Sequence, residues 1–391
     1  MSQTAPDQTP LRNAAYAVRR LALTAFRSYP ALTLEADARP VFLVGENGAG
    51  KTNILEAISL LSPGRGLRGT ALVDSARRLP GEADPKTPWA VAATVDGPDG
   101  SFDIGTGLAP QPDGRLSERR VAHINGTAAP ASTALSETCR LVWLTPAMDR
   151  LFLESPGGRR RFLDRLTLAF EPGHGRTATA YERAMRERMK LLKEGGDAAW
   201  LDAIEAQMAA AGLALANARA RTAERLKADL APLTGAFPQG LIAITGTFEE
   251  TRAPGDDGEA RFRDMLARRR RADAEAGRSL YGPHTADLAV THVGRGRPAA
   301  ECSTGEQKAL LIGLVLAAAR AQGRADAGAA PLLLLDEIAA HLDAPRRAAL
   351  FDEISAIGAQ AWMTGTDRSL FAGMGDRGQG FYVTNGALNP I

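Results

Sequence analysis

The chain has 391 residues and is nearly neutral, because 47 lysines and arginines stand against 45 aspartates and glutamates. With 45% apolar and 24% charged residues, it has the composition of an ordinary soluble globular protein. The two cysteines, Cys139 and Cys302, match no disulfide or zinc spacing, which excludes a disulfide-rich secreted scaffold and predicts a cytoplasmic location. The most continuous apolar run, 310–319, is far shorter than the about 20 residues that a bilayer requires, so no membrane span is expected.

The first predicted elements are strands, a glycine loop and a helix. Residues 16–44 alternate apolar and polar side chains and end in the buried-type run 41–44, which predicts strands. A glycine-rich loop, 45–50, precedes a stretch in which apolar residues recur at helical spacing. The segment 62–130 holds short alternating runs between Pro and Gly residues, and these predict antiparallel strands at a sheet edge.

From residue 147 the pattern becomes helical. Two stretches with heptad-like spacing are joined by Gly195 and Gly196, which predicts an antiparallel hairpin whose second helix runs to Leu230. This hairpin either packs as an ordinary helical subdomain, which is the favoured interpretation, or protrudes as an arm of about 45 Å. Strand and helix signals alternate again from Ser279 onwards.

These changes of pattern predict an α/β fold interrupted by a helical insertion. The expected segments are a flexible N-terminal extension (1–17), the first part of an α/β lobe (18–146), an inserted helical lobe with the hairpin (147–278) and the second part of the α/β lobe (279–391).

The glycine loop fits the pattern G-x-x-x-x-G-K-[ST] at every fixed position. Glycines let backbone N–H groups converge on phosphate oxygens, and the N-terminus of the following helix favours negative charge. The lysine is expected to reach the β- and γ-phosphates, and the threonine hydroxyl can bind Mg²⁺. The predicted nucleotide-binding residues are Gly45, Glu46, Asn47, Gly48, Ala49, Gly50, Lys51 and Thr52.

A second motif supplies acidic partners for this loop. Four leucines, 332–335, predict a strand buried on both faces of a parallel sheet, and the strand ends at Asp336 and Glu337. Asp336 is predicted to share the magnesium with Thr52, and Glu337 is the predicted catalytic base that accepts a proton from the attacking water, with Lys51 as the other catalytic residue.

A third motif, Ser303-Thr304-Gly305-Glu306-Gln307, stands at the start of an apolar helix and can also receive an anion. The order of glycine loop, signature turn and acidic strand is that of the ABC-type ATPases, in which the signature of one subunit completes the nucleotide site of the other. Ser303 and Gly305 are therefore predicted to contact the nucleotide of a second copy, and His341-Leu342-Asp343 resembles the D-loop of such dimers.

The chain resembles the RecF DNA replication and repair proteins, relatives of the SMC and Rad50 heads. The resemblance covers residues 18–385 in the same order, and the insertion is far shorter than the coiled coils of SMC and Rad50. The segments that carry it are 21–29 (LALTAFRSY), 45–58 (GENGAGKTNILEAI), 159–164 (RRRFLD), 282–284 (GPH) with 287–288 (DL), 303–308 (STGEQK) and 363–367 (MTGTD).

This resemblance implies an ABC-type P-loop ATPase head with a helical second lobe. A protein of this kind binds ATP and Mg²⁺, dimerises around two nucleotides, and in that state clamps DNA. The family acts in recombinational repair of gapped DNA, in replication and in the SOS response, and helps to load the RecA recombinase with the mediators RecO and RecR. Its ATP hydrolysis is slow and acts as a switch. Arg27 resembles the residue that reaches nucleotide phosphate in SMC-type heads.

The chain also departs from the patterns of its presumed relatives. The RecF family usually carries Arg-Asp directly after Gly-Pro-His, but here Thr285 and Ala286 intervene before Asp287. Thr366 occupies the switch-histidine position of transporters, and no glutamine marks a Q-loop in 141–149. The last two departures argue against efficient hydrolysis and leave nucleotide binding unaffected.

DNA contacts are predicted from clusters of arginine, which can neutralise phosphates without reading the base sequence. An alternative function is a nucleotide-gated scaffold, or an ABC-type subunit, that acts on protein partners; a transporter subunit lacks support because the Q-loop and the switch histidine are missing. The candidate DNA-binding residues are Arg65, Arg68, Arg119, Arg120, Arg159, Arg160 and Arg161.

Overall fold

The fold is given by a computed structural model. It describes residues 15–78, 81, 87–110, 116–230, 236–251, 257–326, 328–384 and 386–391. In this part of the chain, no helix combines the length and the apolar character that crossing a membrane requires.

The strands of the described residues form three sheets. In chain order they are β1 (Ala17–Phe26), β2 (Tyr29–Glu35), β3 (Val41–Val44), β4 (Ala90–Gly97), β5 (Gly100–Pro110), β6 (Leu116–Ile124), β7 (Thr127–Ala128), β8 (Leu141–Leu144), β9 (Gly240–Thr245), β10 (Asp287–His292), β11 (Arg297–Pro298), β12 (Leu332–Leu335), β13 (Ala361–Gly365), β14 (Gln379–Thr384) and β15 (Ala387–Pro390).

The α-helices lie between these strands and in the middle third of the chain. They are α1 (Lys51–Ser59), α2 (Leu135–Thr138), α3 (Pro156–Phe170), α4 (His174–Glu194), α5 (Ala198–Leu230), α6 (Thr247–Thr251), α7 (Gly258–Arg268), α8 (Arg270–Ala276), α9 (Thr304–Ala325) and α10 (Ala344–Ile357).

The central sheet has the order β15-β14-β3-β13-β12-β8 and is parallel except for β15. Strand β13 separates β3 from β12, with Trp362 beside Val41 and Leu335 beside Met363. The carboxyl ends of parallel neighbours meet at one sheet edge. The glycine loop after β3 and the acidic pair after β12 therefore come together, although they are far apart in sequence.

Both faces of the central sheet are covered, which explains the uninterrupted apolar run of β12. Leu333 and Leu335 face a core that includes α3, α9 and α10. Leu332 and Leu334 face a second core, shared with α1 and with the antiparallel sheet β2-β1-β4-β5-β6-β7. The predicted antiparallel strands of segment 62–130 are confirmed, since β4, β5 and β6 pair in succession.

The predicted helical hairpin is confirmed as α4 and α5, with Gly195 ending α4 in the left-handed conformation (φ 71°) and α5 ending at Leu230. The hairpin packs with α7 and the residues around Tyr281 into a third hydrophobic core. Within this lobe Arg188 is fully buried and donates to Glu205 at 2.8 Å and Asp273 at 2.7 Å. The hairpin therefore packs as part of a helical subdomain, which is the interpretation that the sequence analysis favours over a protruding arm.

Two details differ from the sequence-based segments. The expected N-terminal extension ends before residue 17, because Tyr16 is buried and Ala15 bridges Ala330; residues 1–14 lie outside the described part of the chain. The helical segment 147–278 also contains strand β9, which pairs with β10 of the following segment along its whole length. The inserted lobe is thus tied to the C-terminal part through a sheet of its own.

Candidate functional site

The glycine loop runs from the end of β3 to the start of α1 in backbone conformations that favour glycine. Gly45 has φ 153°, and a Cβ there would lie 2.4 Å from the carbonyl oxygen of Val383 on β14. Gly50 has φ 108°, and a Cβ there would lie 2.6 Å from the Tyr29 hydroxyl, which donates to the Gly50 carbonyl at 3.2 Å. The loop is therefore held tightly at both ends, while the space beside Gly48 is open.

Lys51 is the first residue of α1 and lies across the loop. Its ammonium donates to the carbonyl oxygens of Gly45 and Glu46, both at 2.7 Å. Burial lowers the pKa of Lys51 below its ordinary value, although the charges of Glu337 and Asp336 act to raise it. The lysine is thus partly desolvated beside two carboxylates and close to the loop that precedes it.

The two predicted halves of the site meet through one hydrogen bond. The Thr52 hydroxyl donates to Asp336 Oδ1 at 2.9 Å across 284 positions of sequence. The same carboxylate oxygen accepts a hydrogen bond from Thr364 at the end of β13, at 2.8 Å. Neighbouring strands of the central sheet thus fix the Asp336 carboxylate beside the N-terminus of α1.

Glu337 has a strained backbone. Its φ is 52°, in the left-handed region that a glutamate rarely adopts. Such a conformation costs about 1–3 kcal/mol and persists where the surroundings fix it. Here the Glu337 N–H donates to the Thr364 hydroxyl at 2.7 Å, so Thr364 holds both members of the acidic pair.

These residues fit a magnesium nucleoside triphosphate. The N-cap residue of helix α1 is Gly50, which offers no side-chain cap, so the first N–H groups of the helix are available to phosphate oxygens. The Thr52 hydroxyl and the Asp336 carboxylate are the oxygen ligands that Mg²⁺ prefers, and they already lie within hydrogen-bond distance of each other. In the described residues no group of three or more His, Cys, Asp or Glu side chains forms a separate metal site.

The signature turn opens helix α9 with a capping box. The Ser303 side chain accepts from the Glu306 N–H, and Glu306 accepts in return from the Ser303 N–H at 3.0 Å. These hydrogen bonds, together with Arg295, lower the pKa of Glu306 to about 2. Ser303 and Gly305 are exposed, so within one copy of the chain this turn faces solvent.

Three further segments that the sequence compares with ABC-type ATPases lie near the site: the switch-histidine position, the Q-loop region and the D-loop-like segment. Thr366 is exposed at the end of β13. In the region of a Q-loop, the Asp149 carboxylate accepts a hydrogen bond from Lys308 of helix α9 at 2.9 Å. In the D-loop-like segment, Asp343 caps α10 by accepting from the Arg346 N–H at 2.9 Å.

Arg27 lies in the turn between β1 and β2. Its guanidinium donates to both carboxylate oxygens of Glu56, at 3.0 and 2.6 Å, and to the Asp74 carbonyl at 2.6 Å. Glu56 is 1% exposed on α1 and also pairs with Arg68. Arg27 therefore has internal partners here, and its contact with nucleotide stays a prediction.

The predicted DNA-binding arginines divide into those that contact other residues inside the fold and those that are exposed at the surface. Arg120 donates to the Ser62 and Gly64 carbonyls that follow α1, both at 2.9 Å, and burial lowers its pKa to about 10. Arg159 pairs with Asp287 at 2.7 Å.

Arg160 donates to the Ala286 carbonyl at 2.6 Å, and with Arg120 and Arg159 it therefore makes contacts within the fold. The exposed arginines of the set are Arg65, Arg68, Arg119 and Arg161. Arg68 also pairs with Glu56. The DNA prediction thus depends on a smaller set than the sequence suggests.

Thr364 was missed by sequence reasoning as a site residue. It is completely buried and stands one position before Gly365, at the end of a strand that carries no other polar side chain. The signal that could have identified Thr364 is a lone hydroxyl at the carboxyl end of a buried strand, next to the acidic pair.

The comparison with known families decides the assignment of the chain. The RecF/RecN/SMC N-terminal domain matches residues 17–388. A DNA replication and repair protein RecF from Caulobacter sp. (strain K31) is 49% identical, over 96% of this chain and 98% of that protein. The chain belongs to the RecF family. The RecF protein of Rhizobium johnstonii is 50% identical, over 94% of this chain and 97% of that protein.

Solved structures confirm the ABC-type ATPase fold of this RecF-family chain. A structure described as the recombination mediator protein RecF-ATPrS in the RecFOR pathway has a TM-score of 0.81, with 22% identity over 96% of this chain and 98% of that chain. An Smc head domain derived from Pyrococcus furiosus has a TM-score of 0.53 with 18% identity, covering 96% of each chain. The fold is that of RecF and the SMC heads.

Proposed function

We propose that this chain is an ATP-dependent DNA-binding clamp of recombinational repair, which dimerises on ATP and helps to load the recombinase at gapped DNA. The observation that carries the proposal is the contact between Thr52 and Asp336, with Lys51 beside them. This contact supports a single nucleotide site that is built from residues near both ends of the chain. The RecF relatives named as DNA replication and repair proteins support the biological role.

Each site residue has a role in this proposal. The glycine loop and Lys51 bind the phosphates, and Thr52 and Asp336 would hold Mg²⁺, which when bound neutralises phosphate charge. Glu337 accepts a proton from water, and its strained backbone fixes the direction of its carboxylate. Because Thr366 is no switch histidine and no Q-loop glutamine is present, hydrolysis is slow and serves as a release step.

The exposed signature turn supports ATP-dependent dimerisation. Ser303 and Gly305 lie at the N-terminus of α9, where the helix dipole and free N–H groups attract an anion. We infer that they bind the nucleotide held by a second copy. A γ-phosphate bound between two copies would favour the closed dimer because only that state makes both sets of contacts.

Gapped DNA and the mediators RecO and RecR are the proposed partners, in line with the RecFOR pathway named for the solved RecF structures. The exposed candidates for contacts with DNA phosphates are Arg65, Arg119 and Arg161. The proposed function includes roles in replication and in the SOS response, and its proposed location is the cytoplasm.

Sedimentation with ATP and Mg²⁺, with and without gapped DNA, tests this function. The wild type should dimerise only with ATP and should then retain DNA in a salt-sensitive way. Lys51→Ala should abolish ATP binding and dimerisation, whereas the same substitution at the exposed Lys190 on α4 should change neither. Glu337→Gln should trap the nucleotide-bound dimer. An ATP-induced dimer that retains no DNA would instead support the scaffold that acts on protein partners.

A further inference from the structure

A cavity lies between the end of α1 and helices α3 and α4, away from the nucleotide site. Its volume is 260 Å³, and it is bounded by residues 62–66 after α1, by the start of β8, by α3 and by the first turns of α4. Neither the glycine loop nor the acidic pair lines it. It is therefore distinct from the nucleotide site described above.

The centre of this cavity holds an arginine stacked on a tryptophan. The guanidinium carbon of Arg165 lies 3.3 Å from the centroid of the Trp143 ring, and Trp143 is 3% exposed. Burial lowers the pKa of Arg165 to about 9. Within the described residues, neither Arg165 Nε nor Trp143 Nε1 has a hydrogen-bond partner, although both side chains line the cavity.

Arg140, also in the cavity wall, has a partner already, because its Nε lies 3.7 Å from Asp326. The one carboxylate of the wall, Asp164, is already bound by Arg219 at 2.7 Å and by His174 Nε2 at 2.9 Å. A buried guanidinium is normally hydrogen-bonded, so the unpaired Arg165, which lines the cavity, indicates an anionic acceptor that is missing among the described residues.

We propose that this cavity binds the phosphate group of a small phosphorylated ligand. The Arg165 guanidinium would donate to the phosphate oxygens, since a guanidinium is the donor best matched to this group. Apolar side chains, Leu141 and Leu168 among them, line the same cavity and would contact the organic part of the ligand. The cavity shares no lining residue with the nucleotide site, but two of the arginines proposed to contact DNA, Arg65 and Arg161, also line it. The test of the proposal therefore includes a DNA duplex as a competitor.

Fluorescence and thermal unfolding of the full chain test this site. The Lys51→Ala background removes binding at the glycine loop, and the probes are inorganic phosphate and AMP. We expect saturable, one-to-one binding that changes the emission of Trp143 and raises the unfolding temperature. In the same background, Arg165→Leu should weaken binding at least tenfold.

Arg225→Leu is the matched control, because Arg225 is exposed on α5 and also lies over an aromatic ring, that of Phe170, at 5.3 Å. It should bind the probes like its parent. Ala178→Phe fills the cavity from α4 while keeping Arg165, and it too should weaken binding at least tenfold. Folding of each variant is checked by circular dichroism.

The assignment is overturned if neither probe binds saturably in the Lys51→Ala background. It is also overturned if folded Arg165→Leu and Ala178→Phe variants bind the probes as tightly as their parent. Displacement of the phosphate by a short DNA duplex would overturn the assignment to a small ligand, because a backbone phosphate would then occupy the cavity. Persistence of phosphate binding in the presence of the duplex supports it.

Discussion

Thr364→Val is the sharpest test of the acidic pair, because it keeps the shape of the side chain and removes only the hydroxyl. That hydroxyl donates to Asp336 at 2.8 Å and accepts from the Glu337 N–H at 2.7 Å, and Thr364 is fully buried. One substitution therefore disconnects both acidic residues from β13 without changing either of them.

The magnitude follows from these two contacts. A hydrogen bond to a charged group contributes about 1.5–3 kcal/mol, and a buried N–H left without an acceptor costs about 1–3 kcal/mol. Asp336 keeps the hydrogen bond from Thr52, which limits its loss. We expect Thr364→Val to lower the free energy of unfolding by about 2–4 kcal/mol. ATP turnover should fall more than ATP affinity, because Glu337 loses the contact that fixes its backbone.

Urea denaturation without nucleotide measures the stability change, provided that the slope with denaturant is the same for both proteins. Thr366→Val is the matched control, since Thr366 is exposed two residues further on, and it should stay within about 0.5 kcal/mol of the wild type. A Thr364→Val protein as stable as this control, with unchanged turnover, would refute the role assigned to Thr364.

Two further predictions concern the glycine loop and the helical lobe. Gly45→Ala should abolish ATP binding in a filter assay, because its Cβ would lie 2.4 Å from a backbone carbonyl of β14. Gly48→Ala meets open space but also a φ of 83° that disfavours alanine, so it should bind ATP more weakly than the wild type and more tightly than Gly45→Ala. Burial raises the pKa of Asp164, but hydrogen bonds from His174 and Arg219 outweigh this and leave the pKa below its ordinary value. Its stabilisation is thus present above about pH 4 and is lost as the pH falls through the lowered pKa. The gap in urea midpoint between wild type and Asp164→Asn should be constant from pH 8 to 5 and shrink below about pH 4; a constant gap down to pH 2 would contradict this.

Local motifs and periodicity were enough to predict the ATPase core. The glycine loop has fixed spacing, and four consecutive leucines need a sheet covered on both faces, so Thr52 and Asp336 could be paired from sequence. The hairpin was predictable too, because heptad-like spacing and a glycine pair report local structure.

Contacts between distant polar residues could not be predicted in this way. The sequence shows Arg27 and Arg68 as available cations, but both bind the carboxylate of Glu56, whose burial depends on the packing of α1. Strand β9 was missed because its pairing with β10 involves a partner beyond three helices. The sequence shows Thr364 only as part of the segment 363–367, because its role depends on which strands become neighbours.

The pairing of β9 with β10 has a mechanical consequence. Strand β10 leads through a short connection to Ser303, and Gln307 in the first turn of α9 donates back to the Cys302 carbonyl at 2.9 Å. A rotation of the helical lobe would pull on β9, and the hydrogen-bonded ladder would carry that displacement into the signature turn. The signature turn, which is proposed to contact a second copy of the chain, would thus move with the inserted lobe, and a force applied to the hairpin would alter the proposed contact between two heads.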